Sequence, residues 1–347
     1  MATPVRDAEW LARVAKLMQG SAAPYAASRI SPDGFSCLLD DQPTQLVPER
    51  LLRQLPRSRG EGELCFNPQC RLSGNGGPDE LGPEGEVLTT PSLAGGTVAW
   101  VEDPATDAWT PFWLGPRLST IVWELDDSRA AIPDLAVDVR TALCNAQILI
   151  PAGYADSRRR AWSATTEWCR TKFREAGYAP IAGLLHPFQV AALRRHYRRQ
   201  IRKGAIRLGD HQSARRYIAH NEPAARFFHL QLTKAASDLV GESVKPSYVY
   251  MASYQHGARL EKHTDREQCA FSITMCIDYS PEPVAATPWP LHLDTKQGTV
   301  TVCQALGDGL LYRGRDLPHY RGTLAEGNSS TSIFFHYVAE DFSGSLD

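Results

Sequence analysis

The spacing of apolar positions predicts helices in both halves of the chain. Residues 5–19 place Trp10 and Val14 on one face, as the period of about 3.6 residues of an amphipathic helix requires. Pro187 fits the first turn of a later helix, and Gly241 fits the position after the end of another. The same periodicity predicts helices at residues 118–125, 137–143, 162–176, 187 onward and 223–240.

Alternating apolar and polar residues predict a strand-rich C-terminal third. The strands are separated by turns rich in proline and glycine, which is typical of a jelly-roll barrel. They lie near residues 247–254, 258–264, 270–278, 290–294, 298–303, 309–313, 318–323 and 331–338. Upstream strands are predicted at residues 86–90, 96–101 and 109–114. We therefore expect an α+β fold, in which a C-terminal jelly roll is braced by helices and preceded by a smaller mixed α/β region.

A polar segment divides the chain into two predicted domains. Residues 152–160 combine a turn signal with a run of arginines, which favours a linker. We expect an N-terminal mixed α/β region over residues 1–155 and a second domain over residues 160–347. The N-terminal region, irregular over residues 20–80, loosely resembles winged-helix modules that bind leader peptides; a structural flank packed on the barrel is the alternative. A proline-rich loop at residues 281–290 is expected to shape a substrate entrance.

Composition and charge narrow the function classes. The 347 residues carry a formal net charge of −2, with 43% hydrophobic and 22% charged residues, as soluble globular proteins do. The negative balance argues against nucleic-acid binding, and no apolar run reaches membrane-spanning length. The N-terminus has no secretory signal pattern, so we expect a cytoplasmic protein. The arginine-rich side of the helix after Pro187 is interpreted as a solvated face.

The eight cysteines are scattered along the chain, which suits reduced thiols in a cytoplasm. Only Cys65 and Cys70 are spaced like a pair of zinc ligands, and no second pair follows nearby. Cys269 and Cys276 are close in sequence to the candidate site described next. We expect both to be buried small side chains, not ligands.

The candidate chemistry centres on His263, Asp265 and the distant His319. Residues two apart on a strand point to the same face, so His263 and Asp265 would lie side by side. Two imidazoles and one carboxylate on one face of a metal, with the opposite positions open, are typical of non-haem Fe(II) oxygenases. The pattern H-x-D…H alone is weak in a chain with ten histidines. Its alternative is a group of hydrogen-bonded polar residues in an ordinary barrel.

The surrounding residues strengthen this interpretation. The spacing Y-x-x-G-x5-H-x-D runs from Tyr254 to Asp265, and a Gly-Asp turn at residues 307–308 precedes the strand toward the second histidine. Over residues 175–345 the chain thus resembles the prolyl-4-hydroxylase-like branch of the Fe(II)/2-oxoglutarate dioxygenases. The resemblance implies a double-stranded β-helix that uses Fe(II), 2-oxoglutarate and O₂ and releases succinate and CO₂. Because the carboxylate ligand is present, hydroxylation, desaturation or ring closure is favoured over halogenation.

One element of the family's pattern is missing. The strand after the second histidine normally carries an Arg or Lys for the far carboxylate of 2-oxoglutarate, but residues 328–332 here are Asn-Ser-Ser-Thr-Ser. Arg321 is the preferred replacement, because it lies two residues after His319 and would share its face on a regular strand. A structural ion pair is the alternative role for this arginine.

Further residues are assigned to the co-substrate by the resemblance or by strand parity. Tyr254 matches the family's co-substrate tyrosine. Ser330 and Ser332 would add hydroxyl donors on the last strand. Arg259 shares strand parity with the first histidine and is the second candidate cation, and Arg313 is the third.

Other functions stay open at this point. Because the cation expected near residues 328–332 is missing, a cupin-like metal enzyme that uses no keto acid is an alternative function. A non-catalytic peptide-binding barrel is the alternative from another class. The expected partner is a small-molecule, amino-acid or peptide substrate, and the sequence indicates neither its identity nor the oligomeric state.

Overall fold

The computed structural model describes residues 34–41, 47–53, 55, 63–73, 97–127, 131–210 and 212–347. Within these residues the chain is a mixed α/β protein with antiparallel sheets, as predicted. The helix predicted over residues 5–19 and the strand predicted over residues 86–90 lie outside the described residues. No described helix combines the length and apolarity that crossing a bilayer requires.

The described residues contain seven α-helices and three short 3₁₀ turns. The helices are α1 (Glu49–Leu52), α2 (Pro116–Asp126), α3 (Val137–Asn145), α4 (Tyr154–Ala176), α5 (Pro187–Arg202), α6 (Pro223–Gln231) and α7 (Thr233–Val240). The 3₁₀ turns are Leu39–Asp41, Ile132–Asp134 and Glu267–Cys269.

The helix ends follow local chemistry. Helix α5 has Pro187 in its first turn, and Glu222 caps α6 by accepting a hydrogen bond from the Ala225 N–H. Helices α4 and α7 end at Gly177 and Gly241, whose φ angles of +77° and +92° favour glycine. The predicted ends at these two glycines are confirmed.

Sixteen strands are present in the described residues. Those of the first half are β1 (Leu64–Phe66), β2 (Cys70–Ser73), β3 (Thr97–Glu102), β4 (Trp109–Leu114) and β5 (Leu149–Pro151). Three more precede the barrel region: β6 (Tyr178–Ile181), β7 (Arg207–Leu208) and β8 (Arg216–His220). The remainder are β9 (Val244–Gln255), β10 (Leu260–His263), β11 (Phe271–Ser280), β12 (Leu291–Thr295), β13 (Gly298–Val302), β14 (Gly309–Tyr312), β15 (His319–Arg321) and β16 (Ser329–Ala339).

The C-terminal strands form two sheets. The larger has the order β6-β14-β11-β16-β9-β8-β7, and the smaller has the order β10-β15-β12-β13. The eight strands predicted for this part of the chain are all present. Strands β6, β7 and β8 were not predicted; they extend both edges of the larger sheet. Strands β1 with β5, and β2 with β3 and β4, form two small separate sheets.

The two faces of the larger sheet differ in chemistry. Met251 and Ile333 lie opposite each other and are fully buried on the face that packs against α6 and α7. On the other face, Ser330 lies opposite Tyr254. The smaller sheet covers this second face, where apolar side chains from both sheets cluster: Leu291, Leu293, Leu310, Tyr312 and Leu317. A partly polar space therefore lies between the sheets.

The N-terminal part shares its core with the C-terminal sheets and helices. Phe35 packs edge-on against Trp113 and Phe228, with ring centroids 6.2 Å and 5.7 Å away. Trp100 of β3 contacts Phe227 of α6 at 6.2 Å. The two predicted domains therefore bury surface against each other. Their division, and the winged-helix likeness, remain predictions.

The linker prediction for residues 152–160 was wrong. These residues begin α4, whose inner face buries Trp162 and Phe173. Arg158 forms an ion pair with Asp103 at 2.6 Å, so this arginine is fixed against β3–β4 and does not extend into solvent. Tertiary packing thus continues the helix into a segment whose local composition favours a loop.

Other local predictions also need correction. Strands β1 and β2 lie within residues 20–80, which were predicted to be irregular; each pairs with a strand distant in sequence. The helix predicted over residues 223–240 is two helices that meet at Leu232. The arginine-rich face of α5 is not simply solvated, because Arg194 and Arg198 form ion pairs with Asp278 of β11.

Candidate metal centre

Three predicted residues meet at the junction of β10, β15 and the loop after β10. His263 ends β10 and His319 begins β15, and the two are directly paired in the antiparallel register. Asp265 lies beyond the end of β10, so strand geometry alone does not orient it. Its backbone N–H donates to the carbonyl of Gly314 at 2.9 Å, which fixes this loop against the turn before β15.

The side chains converge on one point. Asp265 Oδ1 lies 3.6 Å from His263 Nε2 and 3.5 Å from His319 Nε2. The two imidazole centroids are 4.4 Å apart. One ligand atom from each residue lies within 4.8 Å of the others, a grouping compatible with a single metal ion. The His319 side chain is only 3% exposed and that of His263 is 29% exposed, so the site opens on the His263 side.

The hydrogen bonds of both imidazoles favour metal binding. His319 Nδ1 is 2.9 Å from the Leu317 carbonyl, and His263 Nδ1 is 2.8 Å from the Glu261 carbonyl. A carbonyl oxygen only accepts, so each Nδ1 is the donor in these hydrogen bonds, and each Nε2 is the ring nitrogen that faces Asp265 and is available to a metal ion. Metal-binding histidines commonly have this arrangement.

Electrostatics shifts the pKa values of His263 and Asp265 in the direction that favours metal binding. Burial lowers the pKa of His263, and the nearby His319 lowers it further. Burial by itself would raise the pKa of Asp265, but its interactions with His319, His336 and His263 outweigh burial and lower it. A neutral imidazole and an ionised carboxylate are the forms that bind a metal ion.

Gly314 leaves the space that the Asp265 carboxylate occupies. A Cβ atom at position 314 would lie 2.9 Å from Asp265 Cγ and 2.9 Å from the Cys269 carbonyl oxygen, and closer still to Asp265 Oδ2. These separations are shorter than real Cβ atoms adopt, so a side chain at 314 would displace the carboxylate. The sequence analysis missed this residue; its signal is a glycine in the turn before the second histidine.

Cys269 and Cys276 are buried free thiols, as expected. Cys269 lies 3.1 Å from the Tyr248 hydroxyl, and burial raises its pKa to about 12. It also belongs to a second group of potential ligand atoms, together with Asp265 and His336. The raised pKa means that the Cys269 thiol stays protonated at neutral pH.

Arg321 is buried beside the site, and no carboxylate of the described residues pairs with it. Its guanidinium donates to the Trp289 carbonyl at 2.6 Å and to Gln304 Oε1 at 3.2 Å. It also lies 4.9 Å from the centroid of the Trp289 ring. Among the residues that the structure describes, no Asp or Glu forms an ion pair with Arg321, and burial lowers its pKa. A buried cation without a countercharge is costly, so an anionic ligand would stabilise it.

Tyr254 and the two serines lie on the face of the larger sheet that points toward the smaller sheet. The Tyr254 ring contacts the Trp289 ring at 5.0 Å, and Trp289 comes from the predicted proline-rich loop. Ser330 lies opposite Tyr254, and Ser332 follows on the same face of β16; both are buried. The structure therefore brings Tyr254, Arg321, Ser330 and Ser332 to the same space between the sheets.

The two other candidate cations do not enter this space. Arg259 is 65% exposed and pairs with Glu261, because the register between β10 and β15 shifts and breaks the parity with His263. Arg313 lies over the rings of Phe173 and Phe271. Neither arginine is therefore beside Arg321, and their assignment to the co-substrate stays a prediction.

Arg216 is a buried residue of the site that the sequence analysis missed. It lies opposite Tyr254 in the β8–β9 pairing and donates to the Tyr254 hydroxyl at 3.2 Å. Its charge is balanced by an ion pair with Asp210, whose carboxylate also accepts a hydrogen bond from Tyr250. No sequence signal marked it, because strand β8 was not predicted.

Comparisons with known proteins extend over about half of the chain. No family model and no curated protein matches it. The non-haem α-ketoglutarate-dependent epimerase SnoN from nogalamycin biosynthesis is 15% identical, over 51% of this chain and 83% of its own, with a TM-score of 0.43. AviO1 from Streptomyces viridochromogenes Tue57 is 18% identical, over 52% of this chain and 97% of its own, with a TM-score of 0.42. A Pseudomonas putida prolyl-4-hydroxylase is 16% identical, over 51% of this chain and 99% of its own, with a TM-score of 0.41.

An oxidoreductase of the 2OG-Fe(II) oxygenase family from Burkholderia pseudomallei is 13% identical, over 52% of this chain and 92% of its own, with a TM-score of 0.41. A second SnoN structure holds Fe³⁺ and α-ketoglutarate.

Proposed function

We propose that this protein is an Fe(II)- and 2-oxoglutarate-dependent oxygenase that hydroxylates an unactivated C–H bond of an amino acid, a peptide or a small metabolite. The observation that carries the proposal is the pairing of two features in one space. One is the convergence of His263, Asp265 and His319; the other is the buried Arg321 without a carboxylate partner.

The strand order supports a jelly roll around this space. When the eight strands from β9 to β16 are numbered one to eight in chain order, the larger sheet contains 6-3-8-1 and the smaller sheet is 2-7-4-5. This order is the one expected of a double-stranded β-helix, in which strands one to four alternate between two facing sheets, strands four and five pair within one sheet, and strands five to eight alternate again. His263 and His319 sit on strands two and seven, which are neighbours only because of this strand order, and Asp265 follows strand two.

The donor set fits Fe(II). Two neutral imidazoles and one carboxylate would occupy one face of the ion and leave the opposite positions for other ligands. Bound iron would supply the activation of O₂ that hydroxylation of a C–H bond needs. The chain's own part is to hold three donors on one side, with both Nδ1 atoms tied to backbone carbonyls.

Arg321 is proposed to bind the far carboxylate of 2-oxoglutarate. Its planar guanidinium suits a carboxylate, and its two present acceptors are neutral, so its charge stays uncompensated. Tyr254, Ser330 and Ser332 are proposed to add hydroxyl contacts from the opposite sheet. With Arg321 in this role, a cation lies in the space between the sheets. The missing cation near residues 328–332 then no longer favours a cupin-like enzyme without a keto acid.

Spectroscopy of the anaerobic protein tests the proposal without knowledge of the substrate. Addition of Fe(II) and 2-oxoglutarate should give a weak visible charge-transfer band, which neither component gives alone. The Asp265→Ala variant should lose this band and bind iron more weakly, whereas Arg259→Ala, an exposed control, should behave as the wild type. Absence of iron uptake by the wild type would overturn the proposal and favour a non-catalytic barrel. Retention of the band by Asp265→Ala would show that Asp265 is not a metal ligand and would overturn the proposed centre.

A further inference from the structure

The two carboxylate oxygens of Asp265 have different surroundings. Oδ1 is the oxygen that faces the Nε2 atoms of His263 and His319, at 3.6 Å and 3.5 Å. Oδ2 points the other way and accepts a hydrogen bond from the Ser272 hydroxyl at 3.3 Å. One oxygen is thus directed to the metal position, and the other is held by the protein.

Ser272 is in turn held by His336. The Ser272 Oγ atom lies 2.8 Å from His336 Nδ1, and the two residues are directly paired between β11 and β16. A hydroxyl has one proton, and a carboxylate only accepts, so the Ser272 proton goes to Asp265. His336 Nδ1 must then be the donor to Ser272. The hydrogen bonds therefore run in one direction, from His336 to Ser272 to Asp265.

The chain of hydrogen bonds is buried and fixed on both sides. Ser272 is fully buried and His336 is 6% exposed. The His336 ring packs against Tyr248, with centroids 4.7 Å apart, and is stacked with Phe334. In a buried site of low dielectric, a satisfied hydrogen-bond network holds its members in one arrangement.

We propose that Ser272 and His336 are positioning residues that keep Asp265 a one-oxygen ligand of the metal. The inference rests on the proposed function. A carboxylate that binds through both oxygens takes two coordination positions, and only two of the three open positions would then remain. Because Oδ2 is engaged by Ser272, Asp265 offers Oδ1 alone, and room remains for a keto acid that binds through two atoms and for O₂.

Metal binding by non-turnover ions tests the positioning role. We expect Ser272→Ala to weaken Mn(II) binding by roughly 10- to 100-fold, the usual effect of removing a residue that orients a metal ligand. The matched control is Ser253→Ala, which removes an equally buried serine hydroxyl from the opposite face of the same sheet. Ser253→Ala should bind Mn(II) as the wild type does.

A second measurement separates positioning from general loss of structure. In the metal-loaded Ser272→Ala protein, the affinity for 2-oxoglutarate should also fall, because Asp265 can turn and occupy a second position. The charge-transfer band with Fe(II) should shift in wavelength at saturating 2-oxoglutarate. If the role of Ser272 were merely structural, Ser272→Ala and Ser253→Ala would both lower thermal stability, and Ser272→Ala would leave the band position unchanged.

Variants of His336 provide the test if Ser272→Ala does not fold. His336→Asn keeps an N–H donor close to the Nδ1 position, and His336→Leu removes it. We expect His336→Asn to bind Mn(II) within a few-fold of the wild type and His336→Leu to match Ser272→Ala. The double variant Ser272→Ala/His336→Leu should bind Mn(II) no more weakly than either single variant, since both changes interrupt the same series of hydrogen bonds.

Each outcome bears on a different claim. Wild-type Mn(II) affinity in both Ser272→Ala and His336→Leu would overturn the positioning role and leave the proposed function intact. Equal losses of Mn(II) affinity in His336→Asn and His336→Leu would show that His336 acts through packing. Its proposed role as the hydrogen-bond donor to Ser272 would then be overturned. Failure of the wild type to bind Mn(II) or Fe(II) would instead remove the proposed function itself.

Discussion

Substitution of Gly314 by alanine is the sharpest perturbation of the proposed metal centre, because it adds one methyl group and no charge. The new Cβ would lie 2.9 Å from Asp265 Cγ and 2.9 Å from the Cys269 carbonyl oxygen. Non-bonded carbon atoms prefer separations of about 3.5–4.0 Å, so the carboxylate must move by roughly 0.6–1 Å. The backbones cannot separate freely, since the Asp265 N–H donates to the Gly314 carbonyl at 2.9 Å.

Two consequences follow from this displacement. Overpacking of a filled site costs roughly 1–3 kcal/mol of the free energy of unfolding. Misplacement of a site group by about 1 Å typically costs about 100-fold in function. We therefore expect Gly314→Ala to lower Mn(II) affinity by about two orders of magnitude and to lower the melting temperature by several degrees.

Isothermal titration with Mn(II) and thermal unfolding of the metal-free protein measure the two effects separately. Gly322→Ala is the matched control, because a Cβ at position 322 meets no atom within 4 Å. This control should change neither metal affinity nor stability appreciably. Wild-type metal affinity in Gly314→Ala would show that the Asp265 carboxylate is not held where metal binding needs it, and the reasoning about this centre would fail.

Three further predictions address the co-substrate and the core. Arg321→Ala should weaken 2-oxoglutarate binding by at least roughly 10-fold with little change in Mn(II) affinity, since it removes a buried charge-assisted hydrogen bond; equal losses of both, measured by titration, would contradict the assignment. Burial lowers the pKa of His186 to about 4 and that of His229 to about 3, from an ordinary value of 6.5. The two neutral, buried histidines therefore stabilise the fold fully above pH 6.5. This stability is lost as the pH falls, because the two histidines take up protons only in the unfolded chain. In urea unfolding of the metal-free protein, the free energy of unfolding should fall by up to roughly 1.4 kcal/mol per pH unit for each histidine between pH 6 and pH 5. The His229→Gln variant should show a weaker pH dependence, by an amount equal to about one proton. The same pH dependence in this variant and in the wild type would refute the role given to His229. Glu222→Ala should lower the free energy of unfolding by roughly 3–5 kcal/mol at pH 7, because it removes a buried carboxylate that accepts hydrogen bonds from two side chains and caps α6; a loss below 1 kcal/mol in urea titrations would contradict this.

Local patterns were sufficient wherever the relevant interactions are close in sequence. The C-terminal strands follow from a two-residue alternation that each segment carries by itself. The ends of α4 and α7 follow from glycines that accept a positive φ. The candidate ligand types also follow from the sequence, because the spacing of His263 and Asp265 and a later His319 is a readable motif. None of these inferences needs a partner from elsewhere in the chain.

Strand register, by contrast, was decided only by the tertiary structure. Arg259 has the parity of His263 in the sequence, yet a register shift in β10 turns its side chain to the surface. Arg216 reaches Tyr254 only because β8 pairs with β9, and this pairing between two segments is not marked by any local pattern. Residues 154–160 are helical as the first turns of α4, whose buried side chains begin at Trp162, and Arg158 is held by Asp103, whereas the local composition favours a loop.

The orientation of Asp265 shows the same limit at the scale of single atoms. Gly314 provides the space, and Ser272 holds one oxygen, but neither residue is marked by the H-x-D spacing. The sequence determined which side chains are available for a metal centre and which segments of the chain carry them. The tertiary structure decided where the carboxylate points and which arginine is buried beside it, because both depend on contacts between segments that are distant in the sequence.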